Sequence, residues 1–392
     1  MFLWCGQTVS IIGDNFFNLA VMWVVYAQSG SALQTSLVQV VWHLDRIIFS
    51  PIAGITADRR DRKHIMVVAN VVSAVAASTV AAAMFTRGAV PSAAILAAVF
   101  VLNSLNTFSV TARFSMMPEV VSRDLLTTAS GLFSTVSNIA ALVGSMLAGL
   151  IVAAVGAAWA VVGDGVSFVI AAVTFAMAPL PRHPAPSPRE RPPAFLQELR
   201  DGWRVMVEEP VMRTLLWLGV LINVTSFLGP LYPALVSQRL HGNAAAYGLI
   251  SAVSVVGGMA GGAVAGTLER RLGAGYLLVG GWCLAGISTL GVAASTSLPL
   301  TAALDAAIAF GFTVSGVASG ALSQVLIPME YRGRVGGISG SVSVAAIPLS
   351  TIIGGWFSDI VGVTFMFAVA GSWTLGVAIL AWSNRHVREA HI

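Results

Sequence analysis

The sequence has 392 residues, of which 56% are hydrophobic and 10% are charged, and its formal net charge is +4. Soluble domains carry about 25% charged residues, so this composition excludes a soluble protein and indicates a membrane protein. Both cysteines lie in apolar segments, which argues against a disulfide framework or a metal site. The chain also lacks a cofactor motif, a grouped catalytic constellation and a basic nucleic-acid patch, so we expect no cofactor, no nucleic-acid partner and no enzyme activity.

Apolar stretches of about 20 residues, enough to cross a bilayer as a helix, recur along the whole chain. The alternating pattern of a membrane β-barrel is absent. The sequence therefore predicts an all-α membrane protein with twelve transmembrane helices in two pseudo-symmetric six-helix bundles. The bundles are residues 1–182 and 211–392, and residues 183–210 form a cytoplasmic linker with an interfacial helix. The helices are centred near residues 15, 46, 75, 105, 140, 168, 222, 255, 283, 310, 345 and 372.

The first predicted helix carries Asp14 near its middle. An ionised Asp at the centre of a membrane helix costs roughly 2.5–3.5 kcal/mol, so such a residue needs a reason. It can bind a proton, because apolar surroundings favour the neutral acid, or it can be a hydrogen-bonded pin beside Asn15 and Asn18. Met1 opens directly into this helix, and we expect the true start to lie upstream.

The second predicted helix carries three polar residues in its middle, His43, Asp45 and Arg46. Neighbours on a helix point about 100° apart, so Asp45 and Arg46 can each pair only across helices. We expect Arg46 to pair with Asp14 and treat Asp45 as a further proton-binding candidate. His43 either relays protons or is satisfied by a neighbouring hydroxyl or carbonyl.

The stretch "GITADRRDRKHI", from Gly54 to Ile65, holds six charged residues. If the second helix continues through it, Gly54, Asp58 and Arg62 share one face, and the acid and base can form a charge lock at a cytoplasmic gate. The alternative is that these are only topogenic charges after the helix. The residues assigned to the gate are Gly54, Asp58, Arg59, Arg62, Lys63, Arg113 and Glu119, with Arg113 expected to reach Asp58 or Glu119.

The remaining candidates are polar or aromatic residues in later helices. Asp305 in the tenth helix is a proton-binding candidate, and Asp164 near the outer end of the sixth is expected to support the fold. The glycine run between Gly257 and Gly266 predicts close helix packing. Side chains that could line a substrate cavity are Trp23, Trp42, Asn103, Asn106 and Phe108.

Two features of the whole chain indicate a secondary transporter and its orientation in the membrane. "PEVVSRDLLTTASG" and "PMEYRGRVGGISG" correspond at an offset near 210, as do Asp58 and Glu269, which predicts a duplicated half typical of secondary transporters. All but four of the 21 Lys and Arg residues fall on one predicted side. The positive-inside rule then places both termini in the cytoplasm. The four exceptions are Arg46, Arg87, Arg113 and Arg239.

The motif Gly54-x-x-x-Asp58-Arg59-x-x-Arg62-Lys63 resembles the loop 2–3 signature of the major facilitator superfamily. Within it, "GDNFFNLAVMWVVYAQSGSA", "ARFSMMPEVVSRDLLTTASGL" and "GDGVSFVIAA" are similar to the branch of bacterial macrolide-efflux permeases and the enterobactin exporter. The proline of that group's antiporter signature in helix 5 is absent, so we expect close packing of this helix without a kink.

The resemblance implies a proton-driven exporter of a small amphipathic compound, such as a drug, siderophore or secondary metabolite, in the bacterial inner membrane. In the family's fold, helices 1, 4, 7 and 10 line the cavity, which ranks Asp14 and Asp305 first. The expected partners are membrane lipid, the substrate and protons, and the expected state is a monomer. Two alternatives stay open, a proton-coupled nutrient importer and a non-transporting lipid-handling or sensory membrane protein.

Overall fold

The computed structural model describes residues 2–88, 90–122, 125–178, 203–204, 210–326 and 332–384. Within these ranges the chain forms long α-helices joined by short turns, with one 3₁₀ turn. In the first half the helices are α1 (Phe2–Ser29), α2 (Ala32–Arg59), α3 (Arg62–Arg87), α4 (Ser92–Val120), α5 (Leu126–Val155) and α6 (Ala157–Met177). In the second half they are α7 (Pro210–Asn223), α8 (Leu228–Gln238), α9 (Ala244–Leu272), α10 (Ala274–Ala294), α11 (Leu298–Leu326), α12 (Arg332–Val361) and α13 (Val363–Ser383).

The predicted fold class is confirmed, with twelve membrane-spanning segments in the described part of the chain. Eleven of these described segments are long and apolar enough to cross a membrane on composition alone. The remaining segment, α2, has 28 residues and carries the polar group around Asp45 in its middle. α5 runs 30 residues as one helix and contains no proline.

Short local signals end one helix and begin the next. The Ser31 hydroxyl accepts a hydrogen bond from the Gln34 amide at 3.3 Å and caps α2. The Asp61 carboxylate accepts one from the His64 amide at 3.0 Å and caps α3. Gly156 joins α5 to α6 with φ +96°, a conformation that residues with a Cβ rarely adopt. Such tight turns place consecutive spans side by side.

The seventh span is broken near the middle of its length. α7 ends at Asn223, a 3₁₀ turn covers Val224–Phe227, and α8 follows. A break frees backbone carbonyls that lipid cannot satisfy. The Trp373 indole of α13 donates a hydrogen bond to the Leu221 carbonyl at 2.7 Å, which supplies one such partner.

The chain divides into two compact units. The first is Met1–Pro188 with Val236–Ala252, and the second is Arg189–Leu235 with Val253–Ile392. In the first, α1 packs against α5 and α6, α3 against α4 and α6, and α2 against α4. In the second, α10 packs against α11 and α13, which repeats the pattern of α3 with α4 and α6, while α12 packs against α7 and the 3₁₀ turn.

Both units have an apolar core. Buried Phe17, Val21, Ile95 and Phe168 belong to the core of the first unit, whereas Leu216, Leu278, Trp282 and Leu322 belong to that of the second. The predicted linker and interfacial helix lie outside the described residues, except that Trp203 and Arg204 are helical and exposed.

Candidate functional site

Asp14 lies halfway along α1 and is partly buried. The Asn106 amide of α4 donates a hydrogen bond to its Oδ2 at 3.4 Å. Its electrostatic partner is Arg113, two turns further along α4. We expected Arg46 in that position, but Arg46 is exposed on α2. Residues seven apart share a helix face, so α4 presents Asn106 and Arg113 together to Asp14.

Asp164 of α6 is 1% exposed and interacts electrostatically with Asp14. Its carboxyl fits against α1 where Gly13 has no side chain, because a Cβ on Gly13 would lie 2.8 Å from Asp164 Oδ1. The Ser167 hydroxyl contacts the same oxygen at 3.5 Å. The structure therefore brings Asp164, which we expected to support the fold near the outer end of α6, into the group around Asp14.

Arg113 sits between Asp14 and an aromatic group. Its guanidinium carbon lies 5.2 Å from the ring centre of Phe114 and 4.7 Å from that of Phe133, which is cation–π geometry. Its Nη1 is buried and has no hydrogen-bond partner among the described residues. The expected gate partners, Asp58 and Glu119, have side chains outside the described part of the structure.

Asp45 of α2 is fully buried and faces α4. Ser104 Oγ lies 2.5 Å from its Oδ1, and the Thr107 hydroxyl donates to its Oδ2 at 2.9 Å. Arg46 interacts electrostatically with both Asp45 and the partly buried His43. Ser104 and Thr107 were not identified from the sequence, although two hydroxyls three residues apart on one helix face were a readable signal.

Asp305 of α11 is 7% exposed and forms the site of the second unit. The Tyr232 hydroxyl of α8 donates to its Oδ1, and the Ser254 hydroxyl of α9 is a second partner. The Tyr232 ring packs edge-on against Phe367 at 5.3 Å between ring centres. Neither Tyr232 nor Ser254 was identified from the sequence, because single tyrosines and serines are common in apolar membrane helices.

The basic residues after α2 bind backbone carbonyls. Arg62 Nε donates to the Ala57 carbonyl at 3.1 Å and Nη1 to the Ser115 carbonyl at 2.9 Å. Lys63 Nζ donates to the Ala178 carbonyl at 2.8 Å. These bonds connect the start of α3 to the ends of α2, α4 and α6. The positive side chains also interact favourably with the negative ends of those helix dipoles.

The expected continuation of the second helix through this motif is wrong. α2 ends at Arg59, Arg60 is extended with φ −122° and ψ 163°, and Arg62 begins α3. The cause is the Asp61 cap, which starts a new helix. A Cβ on Gly54 would meet nothing within 4 Å, so no described helix approaches closely at that glycine.

The residues proposed to line a substrate cavity have different surroundings. Trp23 stacks on Tyr247 at 6.5 Å, and Trp42 Nε1 is buried without a hydrogen-bond partner among the described residues. Asn103 donates to the Val99 carbonyl of its own helix at 2.8 Å. Phe108 contacts Phe49, whose ring also contacts Phe100, beside Asp45. Their role in binding a substrate stays a prediction.

The described residues hold no group of three His, Cys, Asp or Glu placed to bind a metal ion. Both cysteines are free, with Cys5 exposed and Cys283 partly buried. What Asp14, Asp45, Asp164 and Asp305 have in common instead is a position inside membrane spans and contact with hydroxyls or amides. Groups of this kind can bind and release protons, because the acid carries an exchangeable proton and apolar surroundings favour its neutral form.

The sequence profile of the family described as transmembrane secretion effector, within the major facilitator superfamily, matches residues 1–391. Macrolide efflux protein A of Streptococcus pyogenes is 26% identical over 404 residues, which cover 99% of this chain and 96% of that protein. The multidrug efflux pump Tap of Mycolicibacterium fortuitum is 28% identical over 395 residues, which cover 96% of this chain and 93% of the pump.

Solved transporter structures share the fold. The nucleoside transporter NupG superposes with a TM-score of 0.78 at 10% identity, over 97% of this chain and 98% of that chain. A bacterial homologue of the iron transporter ferroportin, crystallised in an inward-facing state, gives 0.74 at 16% identity over 98% of each chain. At these identities the similarity concerns the fold alone.

Proposed function

The chain belongs to the transmembrane secretion effector family of the major facilitator superfamily, and we propose that it exports a small amphipathic compound in exchange for protons by alternating access. Its family and its relatives are membrane transporters, so the chain is a multi-pass membrane transporter and not an enzyme. The observation that carries the proposal of export is the match to two bacterial efflux proteins along nearly the whole of each chain.

An amphipathic substrate fits the side chains that accompany the polar groups. Phe49, Phe100 and Phe108 form an aromatic group next to Asp45, and Phe114 and Phe133 flank Arg113. Aromatic rings bury large apolar areas, whereas the neighbouring hydroxyls and charges bind polar substituents. A drug, siderophore or secondary metabolite offers both kinds of surface.

Proton coupling is supported by the charge balance around Asp14. With Asp14 and Asp164 ionised and Arg113 charged, the group carries one net negative charge in an apolar interior. Binding one proton removes that charge, and two interacting carboxyls share the proton as a pair. The pair takes up a proton when open to the outside and releases it to the cytoplasm, so inward proton flow drives outward substrate flow.

Asp305 is the corresponding candidate in the second unit. Its two hydroxyl partners, from Tyr232 and Ser254, hydrogen-bond either the acid or the carboxylate.

The loop 2–3 residues Arg62 and Lys63 hold the cytoplasmic ends of three helices of the first unit together. We propose that they form part of the cytoplasmic gate, in a bacterial inner-membrane protein with both termini in the cytoplasm.

The experiment is transport by inverted membrane vesicles with an imposed pH gradient, using a radiolabelled macrolide and a panel of amphipathic cations. One pH unit supplies about 1.4 kcal/mol, enough for about tenfold accumulation against a gradient. We expect Asp14→Asn to abolish the accumulation driven by the pH gradient, because an amide keeps the hydrogen bond to Asn106 but exchanges no proton. Asp305→Asn is expected to reduce or abolish it as well.

The matched control is Asp359→Asn, which neutralises an exposed carboxylate near the end of α12 and should accumulate substrate like the unmodified protein. Uptake in right-side-out vesicles driven by the same gradient would identify an importer. Unchanged accumulation in both Asp14→Asn and Asp305→Asn would contradict proton coupling at these residues.

A further inference from the structure

In the described part of the seam between α2 and α4, two hydroxyls hold the carboxyl of Asp45, one helical turn from a group of aromatic rings. Asp45 is fully buried there. One turn further along α2, the Phe49 ring packs against Phe100 at 5.7 Å and Phe108 at 6.1 Å. Ser104 and Thr107 of α4 lie between those two phenylalanines in sequence and both contact the carboxyl. The described partners of this buried carboxyl in the seam are thus two hydroxyls of α4.

Counting hydrogens at Ser104 defines the state of that group. Ser104 Oγ is 2.7 Å from the Phe100 carbonyl oxygen and 2.5 Å from Asp45 Oδ1. A serine hydroxyl has one hydrogen to donate, and neither a carbonyl nor a carboxylate has any. With an ionised Asp45, one of these two contacts would bring bare oxygens together without a proton between them.

A neutral Asp45 resolves the conflict. The Thr107 hydroxyl then donates to Oδ2 of the acid, the protonated Oδ1 donates to Ser104 Oγ, and the Ser104 hydroxyl donates to the Phe100 carbonyl. Each of the three contacts then has a single hydrogen. The distances suit O–H···O bonds, and the 2.5 Å contact lies at the short end of their range.

We infer that Asp45 is a proton-binding site in the α2–α4 seam, loaded in this structure, whose proton joins the two helices through Ser104. The part of this inference that concerns coupling to transport rests on the proposed function. The binding of a proton at Asp45 stands on the hydrogen count alone. Asp45 thereby differs from Asp14, whose partners are an amide and an arginine.

Arg46 is the described charged group with which an ionised Asp45 could pair. On its own helix, Arg46 is exposed and interacts with Asp45 and His43. The described part of α4 presents the two hydroxyls at this level, and α1, which also packs on α2, carries Asp14, held by Asn106 and Arg113. Loss of the proton would leave a negative charge on a fully buried carboxylate. We expect the carboxylate then to leave the seam towards Arg46, which separates α2 from α4 locally.

Infrared spectroscopy of the purified protein in lipid tests the proton directly, without substrate or gradient. At neutral pH we expect the C=O stretching band of a protonated carboxylic acid in the unmodified protein, shifted in D₂O and missing in Asp45→Asn. The asparagine amide can donate to Ser104 and accept from Thr107, so this variant should keep the seam closed. Asp359→Asn is the control and should leave the band unchanged.

Ser104→Ala retains Asp45 and provides a second variant should Asp45→Asn fail to fold. Removing the acceptor of the acid's proton should move the same band to higher frequency, because the acid is then hydrogen-bonded more weakly. If the spectra of the unmodified protein and of Asp45→Asn contained the same carboxylic-acid bands, the inference would be overturned. A carboxylic-acid band at the same frequency in Ser104→Ala as in the unmodified protein would also overturn it. Absence of transport driven by a pH gradient with the Asp45 band present would overturn the proposed function instead and leave proton binding at Asp45 supported.

Discussion

At the scale of single residues, the carboxyls were found from the sequence and their partners were not. An acid inside an apolar run is conspicuous because of its cost. Its partner is one of many polar residues on other helices, and the choice depends on how each helix is rotated. The sequence favoured Arg46 for Asp14, whereas the structure places Arg113 beside it.

The pairing of Arg113 with Asp14 can be measured by a double-mutant cycle. Arg113→Leu alone should lower the free energy of unfolding by about 3–5 kcal/mol, because it leaves interacting carboxyls without a cation. Combined with Asp14→Asn, the cost should be smaller than the sum of the single changes by about 0.5–3 kcal/mol. Chemical denaturation in detergent micelles is the measurement.

Asp305→Asn is the comparison for this cycle, since Asp305 belongs to the other unit. Its effect should add to that of Arg113→Leu within about 0.3–0.5 kcal/mol, as expected for independent sites. Equal additivity for Asp14→Asn and Asp305→Asn would show that Arg113 does not interact with Asp14.

At the scale of helices, small residues decide where two backbones meet. Gly144 of α5 faces Asn15 of α1, where an added Cβ would be 2.9 Å from the Asn15 Cβ. The glycine run of α9 packs mainly on α11, since a Cβ on Gly261 would lie 2.8 Å from the Phe310 carbonyl oxygen. These contacts confirm close packing of α5 and α9, which glycine spacing had predicted.

A carboxyl–hydroxyl contact joins α2 to α4 in the first unit and α11 to α9 in the second. In the first unit the carboxyl is on α2 and the hydroxyls are on α4. In the second unit the carboxyl of Asp305 is on α11 and the Ser254 hydroxyl is on α9. The second and fourth spans of each half are therefore joined by a carboxyl–hydroxyl contact, with the acid on the second span in the first half and on the fourth span in the second half.

Gly248 at the start of α9 makes a close backbone contact that can be tested. A Cβ there would lie 2.7 Å from the Ser145 carbonyl oxygen and 2.8 Å from Gly149 Cα, both backbone atoms that cannot turn aside. We expect Gly248→Ala to destabilise the protein by about 1–3 kcal/mol, as overpacking usually does. The measurement is the thermal unfolding temperature in detergent.

Gly266→Ala on the same helix is the control, because a Cβ there meets nothing within 4 Å. Alanine is the better helix former by about 0.8–1 kcal/mol, so this variant should be unchanged or more stable. If the two alanine variants unfolded at the same temperature, close contact at Gly248 would be ruled out.

At the scale of the whole molecule, the distribution of basic residues predicts the orientation in the membrane. Cys5 and Cys283 would first be replaced by serine, and single cysteines then introduced as Thr296→Cys, in the turn between α10 and α11, or Ser187→Cys, in the linker. A membrane-impermeant thiol reagent added to intact cells should label the first and not the second, because basic loops stay in the cytoplasm. The reverse labelling would contradict cytoplasmic termini.

The sequence by itself determined the class and the twelve spans and singled out the acids, because hydropathy over 20 residues and the cost of a buried charge are local properties. The end of α2 at Arg59 was not predicted, although the Asp61 cap that starts the next helix is a local signal. Only the tertiary structure decided the partners of the acids. The hydrogen-bond partners of Asp14, Asp45 and Asp305 lie 92, 59 and 73 residues away for Asn106, Ser104 and Tyr232. The rotation of each helix about its own axis, which selects such partners, follows from packing against all its neighbours at once.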